Sequence, residues 1–378
     1  MAESDTDSDA RWMHRAVQLA WQARPSPNPR VGSVVVRDGT AIGEGFHRAA
    51  GEMHGEIAAL TAVHGDARGA VVYVTLEPCN HFGRTPPCTE ALVRAGVRRV
   101  VVGAREGNPH VTGHGVERLR EAGIEVTVGV QNALCERLVR PWRKHVTTGI
   151  PYVTLKTAMS LDGRTGTRER DSRWITGEAA RYDAHELRSR SDAVLIGIGT
   201  VLDDDPLLTP RGVPSVGPPP VRIVLDTRLR LPLDRALVRS AREAPVWVLH
   251  GPDASPEHAR ELRDRGVTLL ETVATDGCVD VTHALRLLGE RGIVEVLVEG
   301  GATVHGSFVD ARLADAWVAY IAPVVIGGAR ALPTVAGLGI ERMSAALRVR
   351  DPTVEQLGDD FKITGEFTDV HGNHFAAR

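Results

Sequence analysis

What most constrains this chain is an alternation, repeated from one end to the other: short β-branched runs that read as strands, each followed by a segment of helical periodicity. Between Arg11 and Val146 the runs "VGSVVV", "AIGEGF", "GAVVYVTLEP", "RRVVVGA" and "IEVTVGV" supply about five strands, with Asp38-Gly39 as a hairpin turn before the second. Helices are expected at "RWMHRAVQLAWQA" and over 54–63, 87–95, 116–122 and 131–145. After turn chemistry at 147–151, about eight more strands follow, at "PYVTLKTAMSLDGR", "DAVLIGI", "PVRIVLD", "PVWVLHG", "VTLLET", "EVLVEG", "AWVAYIAPVVIG" and "FKITGEF". Helical runs over 177–190 and 281–291 lie among them, and "GVPSVGPPP" reads as a loop within the same domain. Strands and helices in this order bury their apolar faces only by layering, so the chain reads as two α/β domains. No internal repeat relates the halves.

The length of 378 residues suits two such domains. Lysine plus arginine (45) nearly balances aspartate plus glutamate (48), so no global positive field exists to hold a nucleic-acid backbone. No apolar run approaches the ~20 residues that span a bilayer. Four cysteines in so long a chain imply a reducing cytoplasm rather than a disulfide framework. The opening "MAESDTDSDA" is acidic and polar, the opposite of a secretory leader, and residues 1–10 are expected to be a disordered tail.

The chemistry of the first half gathers around "GEMHGEIAAL" and, further on, "TLEPCNHFGRTPPC". His54 with the thiolates of Cys79 and Cys88 offers zinc three ligands, which leaves the fourth tetrahedral position open for water. Bound zinc lowers the pKa of that water from ~15.7 to ~7. Glu56 is then a non-ligand acid/base that moves protons. Residues i and i+2 diverge within a helix, so both are placed at a helix N-terminus. H-x-E followed by P-C is a zinc-deaminase pattern, although the gap from Cys79 to Cys88 exceeds the usual two residues. Cys135 and Cys278 read as small buried hydrophobes, and His14, His64, His110, His114 and His145 as surface or core. In the second half, Gly300-Gly301 between a strand and a helix start lets a backbone approach a ligand and exposes helix N–H groups to a phosphate. Asp203 to Asp205, taken alone, is a turn before Pro206.

The segments "PNPRVGSVVV", "GEGFHRAAGEMHGE" and "NHFGRTPPC" closely resemble the deaminase domain of the bifunctional riboflavin-biosynthesis deaminase-reductases, the RibD/RibG family. "LKTAMSLDGRTG", "SRWITG", "GTVLDDDPLLTPR" and "VRIVLDT" resemble its reductase domain, so the likeness covers almost everything after the acidic tail. It implies a cytidine-deaminase-like α/β/α zinc domain over 11–147 and a dihydrofolate-reductase-like α/β domain, using NADPH, over 148–378. It implies deamination of 2,5-diamino-6-(5-phosphoribosylamino)pyrimidin-4-one, then reduction of the ribosyl chain to ribityl, in a cytoplasmic homo-oligomer. Carried over by position, NADPH meets Ala158, Trp174, Thr200, Asp204, Thr227 and the run Gly301, Ala302, Thr303, Val304, His305, Gly306, Ser307. The sugar phosphate meets Ser172, Arg188, Leu208 and Arg211, with Glu299 near the ribose. Lys156 and Asp162 are candidates for polar work near the reduced carbon, and Asn28, His47 and His81 for the pyrimidine pocket. The chemistry agrees: guanidinium forks suit a phosphate monoester, and an indole covers a nicotinamide or adenine face.

Two departures stand out. The family's H-A-E is here H-G-E, expected to weaken the helix start by up to about 1 kcal/mol. The loop "GTRERDS" is strongly charged where relatives carry small residues. A nucleic-acid base deaminase would need a basic, aromatic-lined groove, against the near-neutral balance and the few aromatics. A zinc-stabilised binding protein would have no use for Glu56.

Overall fold

The structure, a computed structural model, describes residues 5–81, 86–108 and 114–368. The chain divides into two compact units, Met1–Gly149 and Ile150–Arg378.

The first unit runs α1 (Asp5–Ala20), β1 (Gly32–Arg37), β2 (Thr40–Phe46), α2 (Gly55–Ala62), β3 (Val71–Leu76), α3 (Cys88–Arg94), β4 (Arg99–Ala104), α4 (Gly115–Glu121), β5 (Glu125–Val128) and α5 (Asn132–Thr148). Its five strands lie in the order β2-β1-β3-β4-β5. The two pairings of β1 are antiparallel and the other two parallel. Asp38 and Gly39 both take positive φ (50° and 71°), which closes the two-residue hairpin as that dipeptide requires. Val34, Val35, Val72, Val74, Val100, Val101 and Val102 are wholly buried, which is why these strands read as unbroken apolar runs. Helix α2 sits directly on β2. A Cβ at Gly43 would lie 2.5 Å from Ala59 O, and one at Gly45 2.3 Å from Ala59 N.

The expected disordered tail is corrected for residues 5–10, which belong to α1. Asp9 is buried, accepts a hydrogen bond from Tyr73 OH (2.8 Å) and pairs with Arg99 (2.7 Å). An acidic composition suggests solvation, but partners waiting on β3 and β4 draw this turn onto the sheet.

The second unit runs β6 (Tyr152–Ser160), β7 (Arg164–Gly166), α6 (Glu178–Arg190), β8 (Ala193–Gly197), α7 (Ile198–Asp204), β9 (Val221–Leu225), α8 (Ala236–Arg239), β10 (Val246–His250), α9 (Pro256–Asp264) and β11 (Thr268–Glu271). It continues with β12 (Ala274–Thr275), β13 (Cys278–Val279), α10 (Val281–Gly289), β14 (Glu295–Gly300), α11 (Ala302–Asp310), β15 (Ala316–Ala322), β16 (Leu332–Pro333), β17 (Val349–Leu357) and β18 (Asp360–Phe367). The main sheet has nine strands in the order β11-β10-β9-β8-β14-β6-β15-β18-β17. From β11 to β15 every pairing is parallel, and β18 and β17 extend the sheet antiparallel. Because β14 returns between β8 and β6, the chain reverses its direction of travel there. A crevice forms outside the strand ends at such a point.

The short strands β12, β13 and β16 were not expected from sequence, and the main-sheet strand missed is β17, "VRDPTVEQL". It is the outermost strand, exposed along most of its length, with a register shift between Arg350 and Thr353 around Pro352. An edge strand tolerates proline and charge and so carries no apolar alternation. The acidic triplet is not a simple turn either: Asp203 and Asp204 end α7, and Asp205 follows in the left-handed region (φ 43°).

Candidate active sites

The pivot of the first unit is the start of α2. His54 is its N-cap, with extended backbone (φ −66°, ψ 159°), and Glu56 lies in its first turn, buried. Because an N-cap residue leaves the helical path, both side chains can turn inward. Cys79 follows the end of β3, and Cys88 opens α3. His54 Nδ1 is 3.3 Å from Cys88 Sγ and 3.6 Å from Cys79 Sγ. All three donor atoms lie within 4.8 Å of one another. Bonds of about 2.3 Å to sulfur and about 2.05 Å to nitrogen, at tetrahedral angles, put donors about 3.6 to 3.8 Å apart. The triad therefore fits zinc in both chemistry and spacing. The chain between the cysteines is tied by Cys88 N–H donating to Cys79 Sγ (3.4 Å) and Thr89 Oγ1 donating to Asn80 Oδ1 (2.9 Å).

Donors this close share protons. A hydrogen bond from Cys88, with help from His54, draws the Cys79 thiol down to about 4 against its burial. The same hydrogen bond and burial push Cys88 far up. A dication in place of the shared proton would let both sulfurs ionise. Burial first, then the charge of Cys79, raises the Glu56 carboxyl to about 7.

Beside the triad, His47 Nδ1 meets Met53 O at 2.9 Å, and His47 Nε2 meets Asn28 Nδ2 at 2.9 Å. A carbonyl only accepts, so Nδ1 carries the proton and Nε2 accepts from the Asn28 amide. Burial lowers the His47 pKa, in keeping with that neutral tautomer. The His47 and His54 rings meet edge to face, 5.3 Å between centroids.

In the second unit a cleft of about 960 Å³ opens at the C-terminal ends of β6, β14, β8 and β9. Glu299, on β14, receives a two-pronged hydrogen bond from Arg188 of α6 (2.5 and 2.7 Å), and Lys156 Nζ of β6 stands 3.6 Å away. Burial alone would raise the Glu299 carboxyl, but Arg188 and Lys156 together hold it at about 2. Burial lowers Lys156. Trp174 is 72% exposed, with the Arg181 guanidinium 4.6 Å from its ring centroid. Asp204 stands 3.5 Å from Ser172 Oγ, and burial raises its pKa. Gly300 holds φ 116°, open to glycine and strained for other residues, and a Cβ there would lie 3.3 Å from the His305 ring. Gly301 is the N-cap of α11 with no side-chain cap, so the first-turn N–H groups are left for a ligand.

Residues 151–363 match the model of the RibD C-terminal domain, more than half of the chain, and residues 6–104 match the cytidine and deoxycytidylate deaminase zinc-binding region. The riboflavin biosynthesis protein RibD of Bacillus amyloliquefaciens is 41% identical over 355 residues, covering 93% of this chain and 95% of the relative. The chain belongs to the RibD family.

Two solved RibD-type structures match nearly the whole chain. Acinetobacter baumannii RibD superimposes with a TM-score of 0.82 at 40% identity, covering 97% of this chain and all (100%) of that one. The diaminohydroxyphosphoribosylaminopyrimidine deaminase/5-amino-6-(5-phosphoribosylamino)uracil reductase of Thermotoga maritima gives 0.83 at 35%, covering 97% and 100%. As a RibD enzyme the chain is bifunctional and serves riboflavin biosynthesis. Its deaminase domain is the zinc-binding one and its reductase domain uses NADPH.

Within this RibD fold most of the expected reductase residues line the one cleft: Lys156, Ala158, Ser172, Trp174, Arg188, Thr200, Asp204, Arg211, Thr227, Glu299, Gly301 to His305, and Ser307. Two do not. Leu208 is 2% exposed and packs in the core with Val201 and Leu237. Gly306 faces the chain at Ala336, whose O would be 2.1 Å from a Cβ. Asp162 also lies outside the cleft. Its carboxylate accepts from Ser160 Oγ and from the N–H groups of Ile326 and Gly327, which orders a turn and holds it at about 2.

Cys135 is buried as expected, but Cys278 is exposed and lines the cleft. A hairpin tip looks apolar in sequence and wet in the fold. His81 is exposed, while residues 82–85 of "NHFGRTPPC" and His110 lie outside the described residues. Glu77 was missed. It is buried, and its two oxygens accept from Glu106 N (3.2 Å) and Val116 N (3.1 Å), pinning the chain that enters Pro78-Cys79. A lone glutamate at a strand end carries no periodic signal. Gly55 proves more than a weak helix former: a Cβ there would lie 2.9 Å from Val31 O, so the α2 start is fitted closely to β1's approach.

Proposed function

We propose that the first unit hydrolytically deaminates 2,5-diamino-6-(5-phosphoribosylamino)pyrimidin-4-one and that the second reduces the ribosyl chain of the product to give 5-amino-6-(5-phosphoribitylamino)uracil. The observation that carries this reading is the closed His54, Cys79 and Cys88 triad with Glu56 buried beside it and outside the donor set. These three residues hold zinc, which when bound activates water for attack on the amine-bearing ring carbon. Glu56 takes a proton from that water and passes protons to the ring nitrogen and the leaving amine, so that ammonia departs. Asn28, fixed by His47, presents its carbonyl oxygen to the pyrimidine edge.

NADPH, when bound in the second site, would supply the hydride for ribose C1′. Arg211, with the guanidinium edge of Arg188 that lies outside its fork onto Glu299, binds the substrate phosphate, and Glu299 and Lys156 orient the ribose hydroxyls. Trp174 covers a cofactor ring, and the α11 start with Thr200, Asp204 and Thr227 holds the rest of the cofactor. The partner is thus a small phosphorylated pyrimidine rather than a nucleic acid, which the balance of 45 basic and 48 acidic residues supports. Among the described residues no helix is long and apolar enough to cross a membrane. We place the enzyme in the cytoplasm as a homo-oligomer.

The test pairs metal analysis with two assays. Wild type should carry zinc, release ammonia from the diaminopyrimidinone, and then consume NADPH. Glu56→Gln should keep zinc and lose ammonia release. A variant that retains both would overturn the proton-transfer role.

A further inference from the structure

The arginines lining the reductase cleft are Arg170, Arg181, Arg188, Arg211, Arg228 and Arg230. Most are engaged. Arg170 pairs with Asp203 (2.6 Å), Arg181 lies over Trp174, and Arg188 is forked onto Glu299. Arg230 reaches only distantly toward the buried Asp226 (3.8 Å). Among the described residues Arg211 and Arg228 form no hydrogen bond or ion pair. Two uncommitted guanidinium groups in one cleft call for two anions. Arg211 stands with Arg188 at the substrate end. Arg228 belongs to a different strand end, directly after Thr227 beyond β9.

The strand order sets the distance between the β6 end of the cleft, at Lys156, and the turn after β9 that carries Arg228. Passing from β6 through β14 and β8 to β9 crosses three inter-strand gaps, each about 4.8 Å, or about 14 Å in all. That is the scale of an extended dinucleotide, with the α11 N-terminus between its ends to receive the diphosphate. The far end is built and rigid. Asp226 is wholly buried and accepts from Leu231 N (2.8 Å), which closes the turn that displays Arg228 and Arg230. Thr227 Oγ1 accepts from Val279 N (3.0 Å), and Gly251 N donates to Thr227 O (2.9 Å), so the turn is tied to the β12-β13 hairpin and to β10. Leu225, Val279 and Val281 line the same end as an apolar wall suited to a purine face.

We propose that Arg228, assisted by Arg230, binds the 2′-phosphate of the cofactor and so makes this chain prefer NADPH to NADH. The assignment rests on placing the cofactor in this cleft. An exposed arginine with no other partner loses little by turning to a phosphate monoester, whose charge and geometry its fork matches. NADH lacks that phosphate, so the pair adds nothing to its binding.

The intact protein is titrated calorimetrically with NADP⁺, NAD⁺ and 2′,5′-ADP, as wild type, Arg228→Gln and Arg230→Gln. Wild type should favour NADP⁺ by about 100-fold. Arg228→Gln should weaken NADP⁺ and 2′,5′-ADP by roughly 10- to 100-fold, leave NAD⁺ unchanged, and flatten the salt dependence of NADP⁺ binding. Arg230→Gln should do the same to a smaller degree. Equal weakening of NADP⁺ and NAD⁺ by Arg228→Gln, or no change in either, overturns the assignment. Alkylation of Cys278, exposed at this end of the cleft, separates the two levels. If NADP⁺ protects Cys278 while Arg228→Gln leaves the preference intact, only the phosphate assignment fails. If NADP⁺ gives no protection, the cofactor placement fails and takes the assignment with it.

Discussion

The two sites of this RibD enzyme are built on opposite plans. In the deaminase site four groups from two helix starts and the loop after one strand already stand close together, Cys88 and Glu56 buried and His54 and Cys79 half-buried. His54 and both cysteines stand at ligand spacing, and Glu56 is buried beside them. The reductase site is a wide cleft across the C-terminal ends of the central strands, with one tight internal cluster, Arg188-Glu299-Lys156, and two cations left uncommitted. A site that holds a single ion can be completed by the protein alone. One that binds two phosphorylated molecules must leave charge for them to neutralise. Substitutions in the first should therefore act almost all-or-none, and those in the second in graded steps.

The largest effect expected is from Cys88→Ala, which removes one of the three proposed metal ligands. Zinc content should fall to near nothing and ammonia release by at least about 10³-fold, while NADPH oxidation with the deaminated pyrimidine persists. Substantial residual ammonia release without metal would break the contrast between the sites. Next comes Glu56→Gln, with zinc retained and the deaminase rate down by about 10²- to 10⁴-fold, read by metal analysis beside single-turnover kinetics.

Third is Glu299→Gln, which leaves Arg188 and Lys156 without their carboxylate and should lower the stability of the second unit by roughly 3 kcal/mol. Its pH dependence has a definite sign. Glu299 is depressed from 4.5 to about 2, so its stabilisation is complete above pH 4.5 and fades as the pH falls toward 2. Denaturation midpoints of wild type and Glu299→Gln should converge over that window, and midpoints that stay parallel would show that Glu299 is not the group responsible. The smallest effect belongs to Gly55→Ala. Helix propensity gains up to about 1 kcal/mol, but the methyl meets Val31 O at 2.9 Å, so ammonia release should change by less than about 3-fold with NADPH oxidation untouched. A clear gain in both stability and rate would mean that the packing at Val31 yields freely.

The first site was largely legible because its information is local. His54 and Glu56 share one helix start, and Cys79 and Cys88 flank one loop, so short-range spacing already suggested a metal. Strands buried on both faces were equally plain. What escaped was contextual. Edge strand β17 carries Pro352 and charges because nothing covers it. Residues 5–10 look like a solvated tail until Asp9 meets Tyr73 and Arg99. Glu77 works through two backbone N–H groups far away in the chain. In the second half the residues alone suggested only a glycine turn and an acidic turn, and the resemblance supplied the rest. Even so, Leu208 and Gly306 were expected at the cleft and face away from it.

By itself, then, the sequence determined the α/β alternation, the candidate zinc donor set with a separate carboxylate, and the family. Each of these is written in residue type and short-range spacing. Only the tertiary structure decided which charges are spent and which are free: Arg188 committed to Glu299, Arg170 to Asp203, Arg228 left open beyond β9. Pairing of that kind depends on strands brought side by side from distant parts of the chain, and electrostatic energy depends on distance in space rather than separation in sequence.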